Sequence, residues 1–167
     1  MISEPKESRI RVLEVGCGCG ATLAHIAYEW PDAKVSGIEI QDDIAKIGAS
    51  YLDIRQGNIE TMQIPYEKDT FDYIILADVL EHLHDPERIL QKLLPYLKED
   101  GSILCSVLCG IGCVCTALCC VRAVSCIGCV CAVSASTDHC CCHCHCQYCC
   151  HHFSLHHFFL QILRMFF

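Results

Sequence analysis

Val12-Leu13-Glu14-Val15-Gly16-Cys17-Gly18-Cys19-Gly20-Ala21-Thr22-Leu23 decides how this chain is read. An apolar strand runs into a turn with glycine at every second position, and a helical segment follows. Glycine has no Cβ, so the backbone there can turn sharply and approach a ligand closely. The helix behind such a turn points its unpaired N–H groups back at it. That order places a crevice at the carboxyl end of a parallel strand, where open α/β sheets hold nucleotides.

The flanking sequence agrees. Arg9 to Val15 reads as the first strand. Leu23, Ile26, Ala27 and Trp30 recur at helical spacing until Pro31 stops them. Lys34 to Ile40 reads as a second strand containing Glu39, Asp42 to Gly48 as a short helix, and Tyr51 to Gln56 as a third strand. Glu60 to Thr70 reads as a loop. Phe71 to Ala77 is an apolar run, as expected of a central parallel strand covered on both faces. Asp85-Pro86 opens a helix with Ile89, Leu90, Leu93, Leu94 and Leu97 as its buried stripe and a kink at Pro95. Asp100-Gly101 reads as the exit turn before a fifth strand, Ser102 to Val107. Strands alternating with helices predict an α/β fold with a doubly wound, mostly parallel sheet.

The 167 residues suffice for one core. A net charge of −8 argues against a general nucleic-acid surface, which needs clustered Lys and Arg. Met1 to Glu7 is polar, without the apolar core of a signal peptide, and predicts a cytoplasmic setting. Composition breaks near Leu104: Cys17 and Cys19 precede it, and the other sixteen of the 18 cysteines follow. Only Arg122, Asp138 and Arg164 carry charge beyond that point. The break divides a cofactor-binding core over residues 1–107 from a Cys/His-rich, low-complexity tail over 108–167. The tail reads as disordered or misjoined sequence, so the sheet would lack its last strands.

Taken in register, five pieces resemble the class I S-adenosylmethionine-dependent methyltransferases, in particular the small-molecule branch related to quinone biosynthesis. They are Val12 to Gly20, Gly37-Ile38-Glu39, Gly57-Asn58-Ile59, Phe71-Asp72-Tyr73-Ile74-Ile75 and Asp78-Val79-Leu80-Glu81-His82-Leu83. The resemblance implies a Rossmann-like methyltransferase fold, S-adenosylmethionine as cofactor and a small-molecule methyl acceptor. It implies that Gly16, Cys17, Gly18 and Gly20 floor the methionine moiety, with Glu14 fixing the loop and the cofactor's amino group. Glu39 would hold both ribose hydroxyls as a pure acceptor, with Ile40 beside it. Asn58, where an Asp is common, would accept from the adenine amino group through its amide oxygen. Ile59 would supply a backbone N–H and an apolar face to the ring. Ala77 would offer its carbonyl to the methionine ammonium, next to Asp78.

Glycines after a strand also build dinucleotide turns, and an acid after the second strand serves NAD equally well. Glu14 directly before the turn and the Glu81-His82 pair favour the methyltransferase. Cys17 and Cys19 read as small turn-filling residues rather than nucleophiles, Trp30 as core, His25 as solvated and His84 as a loop residue. On one helical turn Asp78, Glu81 and His82 would share a face and could hold a metal or present a base. No metal site is assigned, and His82 is the candidate base where an acceptor must lose a proton. The lid that the family builds before its first strand is expected to be largely missing here.

In the tail, Ile103 to Val121 is an uncharged run of 19 residues, long enough to span a bilayer as a helix. Cys105, Cys109 and Cys113 would then form one helical stripe, although a fifth strand competes for the same residues. Cys126 and Cys129 have zinc-like spacing, but no second pair is well separated from them. The Cys and His runs from Cys140 to His152 suggest adventitious metal binding. Methyl transfer is the favoured function. A non-catalytic cofactor-binding half-domain and a membrane-tethered form are the alternatives.

Overall fold

The computed structural model describes residues 2, 4–109, 113–120 and 127–132, and from 107 onward the backbone alone. β1 (Arg11–Val15) and β4 (Phe71–Ala77) lie at the centre of the sheet because both their faces are apolar and almost wholly buried. They are flanked by β2 (Lys34–Glu39) and the edge-like β3 (Asp53–Gln56) on one side and β5 (Leu97–Cys109) on the other. These five strands are mutually parallel. The chain steps outward from β1 to β3, then returns to lay β4 along the free edge of β1. Strand order therefore reverses between β1 and β4, and the reversal opens a crevice at their carboxyl ends.

Alternation along the strands feeds two cores. Val12, Tyr73 and Ile75 face α1 (Ala21–Glu29) and α2 (Asp42–Ala49), packing with Leu23, Ile26 and Trp30. Leu13, Val15, Ile74 and Leu76 face the other way, towards α3 (Pro86–Leu93). Asp85 caps α3 by accepting from the Arg88 N–H at 3.0 Å, as its sequence foretells. Ile89, Leu90 and Leu93 are buried. Pro95 ends this helix rather than kinking it: the chain tightens into a 3₁₀ turn over Leu94–Tyr96, and Leu97 already belongs to β5. Asp100-Gly101 lies in an irregularity inside β5, between the Phe71↔Leu97 and Tyr73↔Ser102 pairings.

At the amino edge of the sheet, residues 4–6 dock on the end of α1. The Glu4 carbonyl accepts from the Trp30 indole at 3.1 Å, and the Lys6 ammonium lies 3.8 Å above its ring centre.

The sheet does not stop at β5, where the composition break implied an end. β6 (Cys113–Cys120) and β7 (Ile127–Ala132) continue it, both antiparallel to their neighbours, in the order β3-β2-β1-β4-β5-β6-β7. The 19-residue apolar run thus divides between two strands, and no helix among the described residues is long and apolar enough to cross a membrane. Cys109 and Cys113 are register partners on the antiparallel strands β5 and β6 instead of stacking on a helix. Alternating Cys, Val and Thr suits strands as well as it suits an apolar helix, so composition alone could not separate the two. Cys126 and the Cys140–His152 runs lie outside the described residues.

Candidate functional site

The glycine turn links the carboxyl end of β1 to α1. Gly16, Gly18 and Gly20 all have positive φ, at +71°, +55° and +89°. A Cβ at Gly16 would fall 2.5 Å from Val79 Cγ2, and one at Gly20 would fall within 2.8 Å of both Leu52 and Ile54. A Cβ at Gly18 would meet nothing within 4 Å. The outer two glycines thus let the turn seat against its surroundings, and the middle one floors open space. The Gly16 and Cys17 N–H groups donate to the Ile38 carbonyl at 2.8 and 3.2 Å, tying the turn to β2. Cys17 is buried against Gly37, where an added Cβ would meet its sulfur at 2.4 Å. Burial first, and then the Glu14 and Glu39 charges, push its thiol up to about 12, so it stays protonated and inert.

α2 braces the turn from outside. A Cβ on Gly48 would lie 2.8 Å from the Cys19 carbonyl oxygen and 2.4 Å from Ile54 Cδ1. Alanine ordinarily improves a helix by up to about 1 kcal/mol over glycine. Here it must push α2 away from the turn, so Gly48→Ala is expected to destabilise by about 1–3 kcal/mol, as overpacking does. Urea denaturation checks the sign.

Two carboxylates stand beside the turn. Glu39, at the end of β2, is buried and accepts from the Gly18 N–H at 2.8 Å and from the Gln41 N–H, also at 2.8 Å. Each oxygen keeps a further lone pair. Glu14 is 3 % exposed; Thr22 hydrogen-bonds its side chain, but its Oε2 is buried without a partner. Burial, only partly offset by Thr22, pushes its carboxyl up to about 7.

Ile40, just past Glu39, is a large apolar side chain left exposed, with its carbonyl held by Gln56 Nε2 at 3.1 Å. Asn58 and Ile59 begin the loop between β3 and β4, and Ile59 differs from the sequence expectation. The Asn58 Oδ1 accepts from the Glu60 N–H at 2.8 Å, which orients the amide and leaves that oxygen a second lone pair. The Ile59 side chain is buried in the α3-side core, which leaves its backbone, not an apolar face, for a ring. That difference comes from core packing, which the residue type alone does not reveal.

Ala77 and Asp78 are exposed where β4 ends at the crevice. Asp78 has φ +52°, a conformation Asp tolerates better than most residues, and its Oδ1 accepts from the Ser106 hydroxyl at 3.1 Å. It therefore lies outside any helical turn. The short 3₁₀ turn begins only at Leu80 and ends at His82. A shared helical face for Asp78, Glu81 and His82 is not formed, and no metal-holding cluster occurs among the described residues. His82 is exposed on that turn, whereas His84 bonds Glu60 through its N–H at 2.9 Å and its ring Nδ1 at 3.1 Å.

A family model described as a methyltransferase domain matches residues 2–125. The chain belongs to that family.

Similar proteins include (S)-coclaurine N-methyltransferase of Thalictrum flavum subsp. glaucum, 26% identical over 59% of this chain and 28% of that one. Demethylmenaquinone methyltransferase of Bacillus mycoides is 26% identical over 57% of this chain and 43% of its own. The chain thus spans less than half the length of these curated relatives. Among solved structures, plantazolicin methyltransferase in complex with SAH superposes with a TM-score of 0.55 at 23% identity, over 62% of this chain and 40% of that one, a likeness of fold.

Sequence reasoning missed Lys92 in this methyltransferase domain. It follows Ile89 by three residues on α3, yet its ammonium reaches the loop after β3, donating to the Ile59 and Met62 carbonyls at 2.6 and 2.5 Å. A lysine so close to an apolar stripe was the only available signal.

Proposed function

We propose that the domain binds S-adenosylmethionine in the crevice between β1 and β4 and directs methyl transfer to a small-molecule acceptor. The unpartnered, buried oxygen of Glu14 carries this reading. A carboxylate at the foot of a glycine turn repels the pyrophosphate of a dinucleotide and is completed by a cation or a strong donor. The ammonium of a methionine moiety has that chemistry. Bare Gly18 leaves room for its chain, Glu39 retains acceptor capacity for ribose hydroxyls, and exposed Ile40 offers a face to a base. These residues fit the cofactor.

When bound, the sulfonium supplies an electrophilic methyl group whose leaving partner is neutral. The protein's main contribution is therefore alignment and water exclusion. Where an acceptor must lose a proton, exposed His82 beyond β4 is the base within this part of the chain. The names of the relatives support a small acceptor molecule. Isothermal titration with S-adenosylmethionine and with NAD tests the cofactor, and binding of NAD alone would overturn the reading. Turnover on a panel of amines, phenols and quinols then identifies the acceptor class.

A further inference from the structure

Residues 58–62 close on themselves: the Thr61 and Met62 N–H groups both donate to the Asn58 carbonyl, at 3.1 and 2.8 Å. The peptide between Ile59 and Glu60 is held at both ends. Its N–H donates to Asn58 Oδ1, and its carbonyl accepts from the Lys92 ammonium. Lys92 also takes the Met62 carbonyl, so one side chain clamps both limbs of the loop. A second tie, Glu60 to the His84 backbone and ring, joins the same loop to the segment entering α3.

With that peptide fixed, the Asn58 amide is held through its Oδ1, which keeps a second lone pair beside the two donors of the NH₂. We propose that Lys92 is a positioning residue for base recognition, fixing through the 59–60 peptide which hydrogen-bonding groups meet the edge of the purine. This rests on the cofactor reading above and adds a residue with no direct contact to the ligand. An ammonium is suited to the task because it carries three donors and can meet two carbonyls at once.

The test compares S-adenosylhomocysteine with its deaminated analogue S-inosylhomocysteine, which differs only at the purine edge. Wild-type protein is expected to bind the adenine compound more tightly. Lys92→Met is expected to weaken that binding about tenfold and to shrink the preference between the two compounds by a similar factor, because a loosened loop no longer holds one pattern. A merely structural lysine would weaken both compounds equally and leave their ratio unchanged, and that result overturns the proposal. If Lys92→Met does not fold, Lys92→Gln, which keeps a shorter polar tip, is judged by the same ratio. Failure of the wild type to bind S-adenosylhomocysteine would instead overturn the cofactor reading, and this inference with it.

Discussion

Glu39→Ala raises the Kd for S-adenosylhomocysteine by about a hundredfold or more, the larger of the two effects expected here. A carboxylate that accepts from two hydroxyls makes two charge-assisted bonds, each contributing about 1.5–3 kcal/mol. Every 1.4 kcal/mol is about a factor of ten in affinity. The same side chain also anchors the Gly18 N–H, so its loss frees the turn as well as the sugar. Gln41 is exposed, and water can replace the carboxylate at its N–H, so most of the fold should survive. Calorimetry alongside circular dichroism separates the two consequences. An Ala variant that is folded and still binds within threefold of wild type would refute the ribose assignment.

The second large effect is a dependence on pH set by Glu14. Its carboxyl ordinarily titrates at 4.5 and is pushed up to about 7 in the folded chain. Between those values the folded state holds a proton that the unfolded state has released. Its contribution to stability is therefore full below about 4.5, declines as pH rises, and is gone above about 7. At about 1.4 kcal/mol per pH unit, the whole excursion is about 3 kcal/mol. Urea denaturation of the ligand-free protein from pH 4.5 to 8 should show this decline, and Glu14→Gln should flatten it. Ligand binding runs the opposite way. An ammonium prefers the ionised carboxylate, so affinity should climb by up to tenfold per pH unit towards pH 7 and then level off. A Glu14→Gln protein with the wild-type pH profile for binding would show that the carboxylate does not meet the ligand's cation.

Much of this was legible before the structure. The strand over Phe71–Ala77 has the same ends in both descriptions because an apolar run with charged neighbours has few alternative placements. The Asp85-Pro86 start of α3 was equally plain, since both residues act locally. The sequence did not show what depends on contacts between distant segments. Gly48 reads as a weak helix residue until the Cys19 carbonyl is found where its Cβ would stand. Asp78 was placed on a helix by its spacing to Glu81 and His82, but the chain turns through positive φ at that residue before the 3₁₀ turn begins. The apolar face that Ile59 offers in the sequence is turned into the core by packing. The end of the sheet was misjudged because a cysteine-rich composition carries no clear period.

The docking of residues 4–6 on Trp30 has a consequence for optical measurement. This is the chain's one tryptophan, and it sits just past the last residue of α1, whereas the glycine turn opens the first. Nine helical residues separate the two by about 14 Å. Its emission, shaped by the Lys6 cation above the ring, would register unfolding and release of the amino-terminal strap while being largely blind to occupancy of the crevice. Denaturation curves recorded by intrinsic fluorescence can therefore be compared directly with and without ligand.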